Sequence, residues 1–434
     1  MATPLLEPRH GLPPLVDSNE ALLTAITTLQ GGRGPIAIDA ERASGYRYSQ
    51  RAYLIQIFRR DGGLHLIDPI AITDNSLWNK LSETFSDVEW IIHASTQDLP
   101  CLVELGIQPS SLFDTELGAR IAGCERVGLG PLSEALLDLA LAKEHSAVDW
   151  SLRPLKDEWL VYAALDVDVL VDLKEKVEEL LVQQDKLKWA IADFQHILKV
   201  FTNPSGRPER KDPWRRTSGM HKVKDRRTLA VIRELWTIRD AYAKSVDIAP
   251  GRIFNDETLT EVAVTKPATV AEFSKMIKRR TRHQDLPTTE WFAYYQKALA
   301  LDDRDLPEMK IRGNTLPPPK IWKEKNPLGY ARLTHARLAT MTHAGELAMP
   351  VENLISPEAL RQLTWSEPPV GLLGIELEMY IREKLASADA REWQIDLVAP
   401  LLLDAMVATE PVALPTTEPT VEQASEPAEP TNGE

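Results

Sequence analysis

The 434-residue sequence predicts an α/β fold, in which a mixed sheet covered by helices is followed by two all-α helical domains. Three observations carry this expectation. The runs Ile36 to Ala40 and Tyr53 to Phe58 have the length and composition of strands. From Asp74 to about residue 200, helical and strand-like periods alternate. Beyond residue 222 the apolar spacing is helical.

Taken in order, Asp17 or Ser18 can cap a helix running through Leu29, which Gly31-Gly32-Arg33-Gly34-Pro35 then breaks. Ile36-Ala37-Ile38-Asp39-Ala40-Glu41 is the first long strand. After a loop from Arg42 to Arg51, Tyr53 to Phe58 is a second strand, Asp61-Gly62-Gly63 a tight turn, and Leu64 to Asp68 the third strand of a meander. Leu77, Leu81 and Phe85 mark a helix, and Val88 to His93 a buried strand. Ser95 or Thr96 is expected to cap the next helix with Asp98 in its first turn, where the dipole tolerates a carboxylate. Asp114 opens another helix in the same manner. One long helix is expected from about Lys156 to Gln184.

With 43% hydrophobic and 26% charged residues the chain reads as globular, and its length suggests two to four domains. Leu397 to Ala408, interrupted by Pro400 and Asp404, is too short to span a bilayer, and Met1 to Val16 lacks an apolar signal core. No membrane association is expected. Two cysteines without CxxC spacing argue against a disulfide framework or structural zinc, so a cytoplasmic location is expected. Charge is uneven. Residues 1–199 hold 18 Lys and Arg against 30 Asp and Glu, residues 200–345 hold 28 against 17, and residues 346–434 hold 4 against 17. A basic middle between acidic ends suits a chain that meets a polyanion in one segment and holds cations in another.

Within the first strand, Asp39 and Glu41 stand at i and i+2 and share a face. Two adjacent like charges raise each other's pKa unless a cation lies between them, and a divalent metal is the usual resident. A strand running into a solvated acidic turn would look the same. Asp98 alone reads as a helix-start aspartate. Tyr162 and Asp166, at i and i+4, share a helical face among Leu160, Ala163, Ala164, Leu165 and Val167, which requires a helix edge or a buried partner for the acid.

Together these pieces resemble the three exonuclease motifs of the DEDD superfamily in its tyrosine branch: Asp39-x-Glu41, Asp98 within His93-x-x-x-x-Asp98, and Tyr162-x-x-x-Asp166. Trp150-Ser151-Leu152-Arg153-Pro154-Leu155 makes the chain similar to the ribonuclease D family. The resemblance implies a ribonuclease H-like mixed-sheet domain in which Asp39, Glu41, Asp98 and Asp166 hold two divalent ions, Mg²⁺ or Mn²⁺, and Tyr162 orients the attacking water. His93-x-x-x-x-Asp98 also fits the histidine branch's third motif. Too little chain separates Glu41 from His93 for the missing second motif, so His93 is expected only to end its strand.

The segment from 222 to 300 resembles the HRDC module, and Met349 to Leu360 echoes its Ile248 to Leu259 stretch. The expected layout is an exonuclease domain at 1–200, a basic linker at 201–221, an HRDC domain at 222–300, a linker at 301–328, a second, diverged HRDC-like domain at 329–407 and a disordered acidic tail at 408–434. Arg215 and Arg216 beside Trp214, with Lys275, Lys278, Arg279 and Arg280, are the candidate RNA-binding cations. The resemblance implies a monomeric 3′–5′ exoribonuclease that releases 5′-mononucleotides from single-stranded 3′ ends, among them transfer RNA precursors. A catalytically idle RNA-binding scaffold and a DNA exonuclease stand as alternatives.

Overall fold

The computed structural model describes residues 2–142, 148–201, 211–278, 287–309 and 316–415. Arg279, Arg280, parts of the expected linkers (202–210 and 310–315) and most of the expected tail (416–434) lie outside the described residues. The strands are β1 (Thr3–Leu5), β2 (Leu15–Val16), β3 (Arg33–Arg42), β4 (Ala52–Arg60), β5 (Gly63–Ile67), β6 (Glu89–Ile92), β7 (Ser111–Asp114) and β8 (Leu139–Leu141). Six of them form one sheet in the order β2-β5-β4-β3-β6-β7. β4 pairs antiparallel with β3, and with β5 across the turn at Asp61, while β6 runs parallel to β3 and β7 parallel to β6. The expected mixed sheet is therefore present. β2 joins it beside β5, and β1 pairs with β8 apart from it, both too short to announce themselves in the sequence.

Helices α1 (Asn19–Gln30), α2 (Ser76–Thr84), α3 (Leu99–Leu105), α4 (Thr115–Ile121), α5 (Leu129–Leu137), α6 (Asp157–Asp168), α7 (Leu170–Gln183) and α8 (Leu187–Phe201) cover the sheet. Both faces are covered, which is why Ile36, Ala37 and Ile38 are all fully buried although successive strand residues point to opposite sides. Ser18 caps α1, its side chain accepting from the Ala21 N–H. The single helix expected over 156–184 is two: α6 ends and α7 begins at Val169. Asp168, the last residue of α6, and Asp172, in the first turn of α7, bind Arg9 from the N-terminal segment, Asp168 through Arg9 Nε at 3.0 Å.

The rest of the described chain is helical. Helices α9 (Arg226–Val246), α10 (Pro250–Ile253), α11 (Asp256–Thr265), α12 (Val270–Lys278) and α13 (Thr288–Leu299) enclose their own core around Leu235, Phe254, Phe273 and Tyr295. Helices α14 (Trp322–Lys325), α15 (Pro327–Glu346), α16 (Val351–Leu354), α17 (Pro357–Trp365), α18 (Ile375–Ser387), α19 (Glu392–Leu401) and α20 (Leu403–Val407) follow. Their core is continuous with that of the sheet domain. Trp189 of α8 stacks on Trp393 at 5.2 Å, and Asp193 accepts from Arg391 Nε at 2.6 Å and Trp393 Nε1 at 3.2 Å. Gly123, at φ +80°, lies so close to this second module that a Cβ there would meet the Ala348 carbonyl at 1.9 Å. Only glycine fits that contact.

Candidate active site

The pairing register of β3 opens the site. Ile36 and Ala37 pair with Trp90 and Ile91 of β6, but that strand stops at Ile92 and the chain turns away at Ala94, φ +55°. Beyond Ala37 the β6 side of β3 is therefore uncovered, and a cavity of about 520 Å³ forms in the fork. Crevices beyond strand ends are the usual ligand sites of α/β sheets. Asp39 and Glu41, opposite Gln56 and Leu54 of β4, line it from the floor. Helix α6 brings Tyr162 and Asp166 from the side, and Asp98 enters from the start of α3.

All five sequence-predicted residues thus line one cavity. Asp39, Glu41 and Asp166 each offer a carboxylate oxygen, and these oxygens lie within 4.8 Å of one another. Two oxygens on opposite sides of an Mg²⁺ ion are about 4.2 Å apart, given Mg–O bonds of about 2.1 Å. An all-oxygen donor set with this spacing fits Mg²⁺ or Mn²⁺. Asp98 stands slightly apart, with its Oδ1 3.5 Å from an Arg42 guanidinium nitrogen.

The electrostatics are those of a cluster short of positive charge. Burial is the largest effect at each acid. It pushes Asp39 up to about 6, tempered by the Ala40 N–H and by Arg42. Glu41 is held well above the carboxylate range by burial and then by Asp39, Asp166 and Asp98. Asp98 and Asp166 are raised by burial and then by Asp39. Tyr162 is raised far above the usual phenol value by burial, Asp166, Glu41 and Asp39, so its hydroxyl keeps its proton. His93 is pushed down to about 4 by burial and is neutral. It contacts Thr115 Oγ1 through Nδ1 at 2.9 Å.

Two supports place these groups. Asp114 caps α4 through the Glu116 and Leu117 N–H groups, and also accepts from the Ala94 and Ser95 N–H groups and from Ser95 Oγ at 2.6 Å. That fixes the turn before α3. Ser95 is consequently not the cap expected of it; Asp98 holds the N-cap position, with no capping bond from its side chain, which is turned to the cavity. Arg153 clamps the segment before α6, donating to Asp68 twice at 2.6 Å, to the Tyr53 carbonyl and to the Trp150 carbonyl, each at 2.8 Å.

Sequence reasoning did not find Arg42 or the loop after it. Ser44, Gly45 and Tyr46 line the cavity, and the first helical module holds the same loop from behind. The Tyr46 carbonyl accepts from the Ala249 N–H at 3.0 Å, the Gly45 carbonyl from Arg252 Nε at 2.6 Å, and the Arg252 guanidinium lies 3.8 Å from the Tyr46 ring centre. Tyr48 and Ser49 bond Asp240 and Asp247 of α9's C-terminal part and cap. No sequence signal marks these partners, which lie some 200 residues away.

Among the candidate RNA-binding cations, Arg216 and Lys275 are exposed. Arg215 stacks on the buried Trp214 ring and binds Asp212 and the Glu308 carbonyl. Arg226 and Arg227 likewise tie down the 301–307 segment. Lys278 is at the end of α12. Cys101 and Cys124 are free. No described helix is long and apolar enough to cross a membrane.

Comparison with known proteins agrees with this arrangement. A 3′–5′ exonuclease family matches residues 14–182, the HRDC domain family residues 228–285, and a family described as a 3′ to 5′ exonuclease C-terminal domain residues 315–406. Ribonuclease D of Gluconacetobacter diazotrophicus is 31% identical over 270 residues, 61% of this chain and 66% of that protein. Ribonuclease D of Jannaschia sp. is 30% identical over 248 residues, 55% of this chain and 62% of that protein. The matched part therefore spans slightly less than two thirds of these relatives' length. A crystal structure described as a protein from Bifidobacterium adolescentis is 36% identical, covers 94% of this chain and all of that one, and superposes with a TM-score of 0.84. Escherichia coli RNase D, described as an exoribonuclease involved in structured RNA processing, shares the fold at 23% identity, 86% and 96% coverage and a TM-score of 0.61.

Proposed function

We propose that this chain, a member of the ribonuclease D family of 3′–5′ exonucleases carrying an HRDC domain, hydrolyses RNA from its 3′ end and releases 5′-mononucleotides. The observation that carries the reading is the convergence of Asp39, Glu41 and Asp166 to within shared-ion distance in a cavity also lined by Asp98 and Tyr162. Asp39, Glu41, Asp98 and Asp166 would hold two divalent cations, Mg²⁺ or Mn²⁺, which when bound activate water and stabilise the leaving oxygen of the phosphodiester. The protein side chains do the rest. Asp39, with a carboxylate oxygen within 4.8 Å of those of both Glu41 and Asp166, would be the natural shared ligand. Tyr162 would orient the attacking water through its hydroxyl. Arg216, Lys275 and the run Lys278-Arg279-Arg280 would meet phosphates along the strand being shortened. Structured precursors with single-stranded 3′ ends, transfer RNA precursors among them, are the substrates this reading favours.

The test is to incubate the protein with 5′-labelled and 3′-labelled single-stranded RNA and DNA in Mg²⁺, Mn²⁺ or EDTA. Stepwise shortening of 5′-labelled RNA, immediate release of labelled mononucleotide from the 3′-labelled form, and loss of both in EDTA, Asp39→Asn and Asp166→Asn are expected. An RNA that stays intact in every metal, or trimming that survives Asp166→Asn, overturns the reading. Faster trimming of DNA than RNA would move the substrate class.

A further inference from the structure

Strand alternation should send the residue after Glu41 to the face opposite the acids. Arg42 nonetheless lines the acid cavity. A register shift falls at this point, where β3 ends: Glu41 pairs with Leu54 but Arg42 with Ala52, leaving Tyr53 as an extra residue on β4. A bulge of this kind bends the pair and re-aims the side chains beside it. Arg42 is the one Lys or Arg among the described residues lining the cavity, its side chain is 26% exposed, and its nearest carboxylate approach is 3.5 Å, to Asp98. That is an ion pair, but a loose one. Arg153 on Asp68, by comparison, closes two bonds of 2.6 Å. A guanidinium has five donors, and one approach of 3.5 Å engages little of them.

We propose that Arg42 binds the phosphate of the RNA's 3′-terminal linkage. The inference rests on the nuclease reading and deepens it by naming the group that grips the substrate beside the acids. In the cation-free protein Arg42 partly compensates Asp98. Once Asp98 serves a divalent ion its charge is met, and the guanidinium is left facing the cavity with its fork of donors available. A planar guanidinium matches two phosphate oxygens at once, which an ammonium cannot do. Its place one residue from Glu41 puts that fork next to the carboxylates, where the terminal linkage must lie for hydrolysis.

The proposal is tested by a binding cycle. Anisotropy of a short labelled RNA is read in Ca²⁺, to slow cutting, with the terminal linkage either an ordinary phosphodiester or a neutral methylphosphonate. Wild type, Arg42→Gln and Arg42→Lys are compared. Arg42→Gln should weaken the phosphodiester RNA about tenfold and the methylphosphonate RNA less than twofold, with Arg42→Lys recovering part of the loss. Equal weakening of both RNAs, or none of either, overturns it. Should Arg42→Gln not fold, Arg42→Lys alone must still penalise the charged linkage more than the neutral one. Wild-type trimming of the all-phosphodiester RNA in Mg²⁺ separates the two failures: no trimming counts against the nuclease, trimming with equal penalties counts against Arg42 alone.

Discussion

Replacing Asp39 by Asn should make the cation-free protein more stable while destroying its chemistry. Burial pushes this carboxyl from about 3.8 up to about 6, so the folded state holds the proton more tightly than the unfolded chain does. A raised acid contributes nothing unfavourable below the unfolded value; its penalty builds as pH climbs from about 4 to about 6 and is complete above. Two pH units correspond to about 3 kcal/mol at about 1.4 kcal/mol each. Some of this is relieved by local relaxation, and about 2 kcal/mol is expected to be measurable. Asparagine keeps the shape and cannot ionise. In EDTA at pH 8, Asp39→Asn should therefore melt some 4–8 °C above wild type, at roughly 2–4 °C per kcal/mol for a domain of this size. The gap should close by pH 4. Excess Mg²⁺ or Mn²⁺ should reverse the order, since a cation at one hundred times its Kd adds about 2.7 kcal/mol to the protein that binds it. Buried Trp78, Trp90 and Trp150 provide the fluorescence signal. An Asp39→Asn protein less stable than wild type in EDTA at pH 8, or a gap unchanged between pH 4 and 8, would refute the account of a charge-starved cluster.

Other outcomes follow from the same geometry. Tyr162→Phe should slow single-turnover trimming about 10- to 100-fold with RNA affinity within twofold of wild type, because only the orienting hydroxyl is lost; normal turnover would remove the role. Arg153→Ala leaves Asp68, itself only 5% exposed, without its fork and should cost about 2–4 kcal/mol in urea unfolding, with the segment before α6 loosened. Reversing Lys278, Arg279 and Arg280 together should lower affinity for any RNA sequence alike and reduce the slope of log Kd against log salt by about 2, at about 0.7 per phosphate contact on a single strand; an unaltered slope would place the RNA elsewhere.

Much of the site was written locally. Strand alternation alone puts Asp39 and Glu41 on one face, and helical spacing puts Tyr162 over Asp166; both relations hold because they need nothing beyond i+2 and i+4. The turn at Asp61 and the cap at Ser18 are equally local. Convergence of Asp98 and Asp166 on β3 depends instead on sheet order, which the family resemblance conveyed and periodicity did not. The break at Val169 escaped notice because neither Gly nor Pro marks it and its backbone stays in the right-handed helical region, φ −96° and ψ −13°. Arg42 was missed because the strand was expected to end at Glu41, with Arg42 opening the loop, and a bulge leaves no trace in composition. Cations between 215 and 227 read as a basic segment for RNA, yet Arg215, Arg226 and Arg227 end on backbone carbonyls of the 301–308 stretch. Charge counting cannot tell a free guanidinium from one that staples a loop.

The loop from Gly45 to Ser49 has the acid-lined cavity on one side and α9, α10 and their caps on the other. Its inner surface cannot move without breaking its outer contacts. An isolated sheet domain would lose Arg252 and Ala249 from beneath Tyr46, and with them the rigidity of one cavity wall, although no acid had been touched. Under the proposed reaction, a strand of RNA pulling on the helical module would, by the same linkage, press on the place where its own end is to be cut.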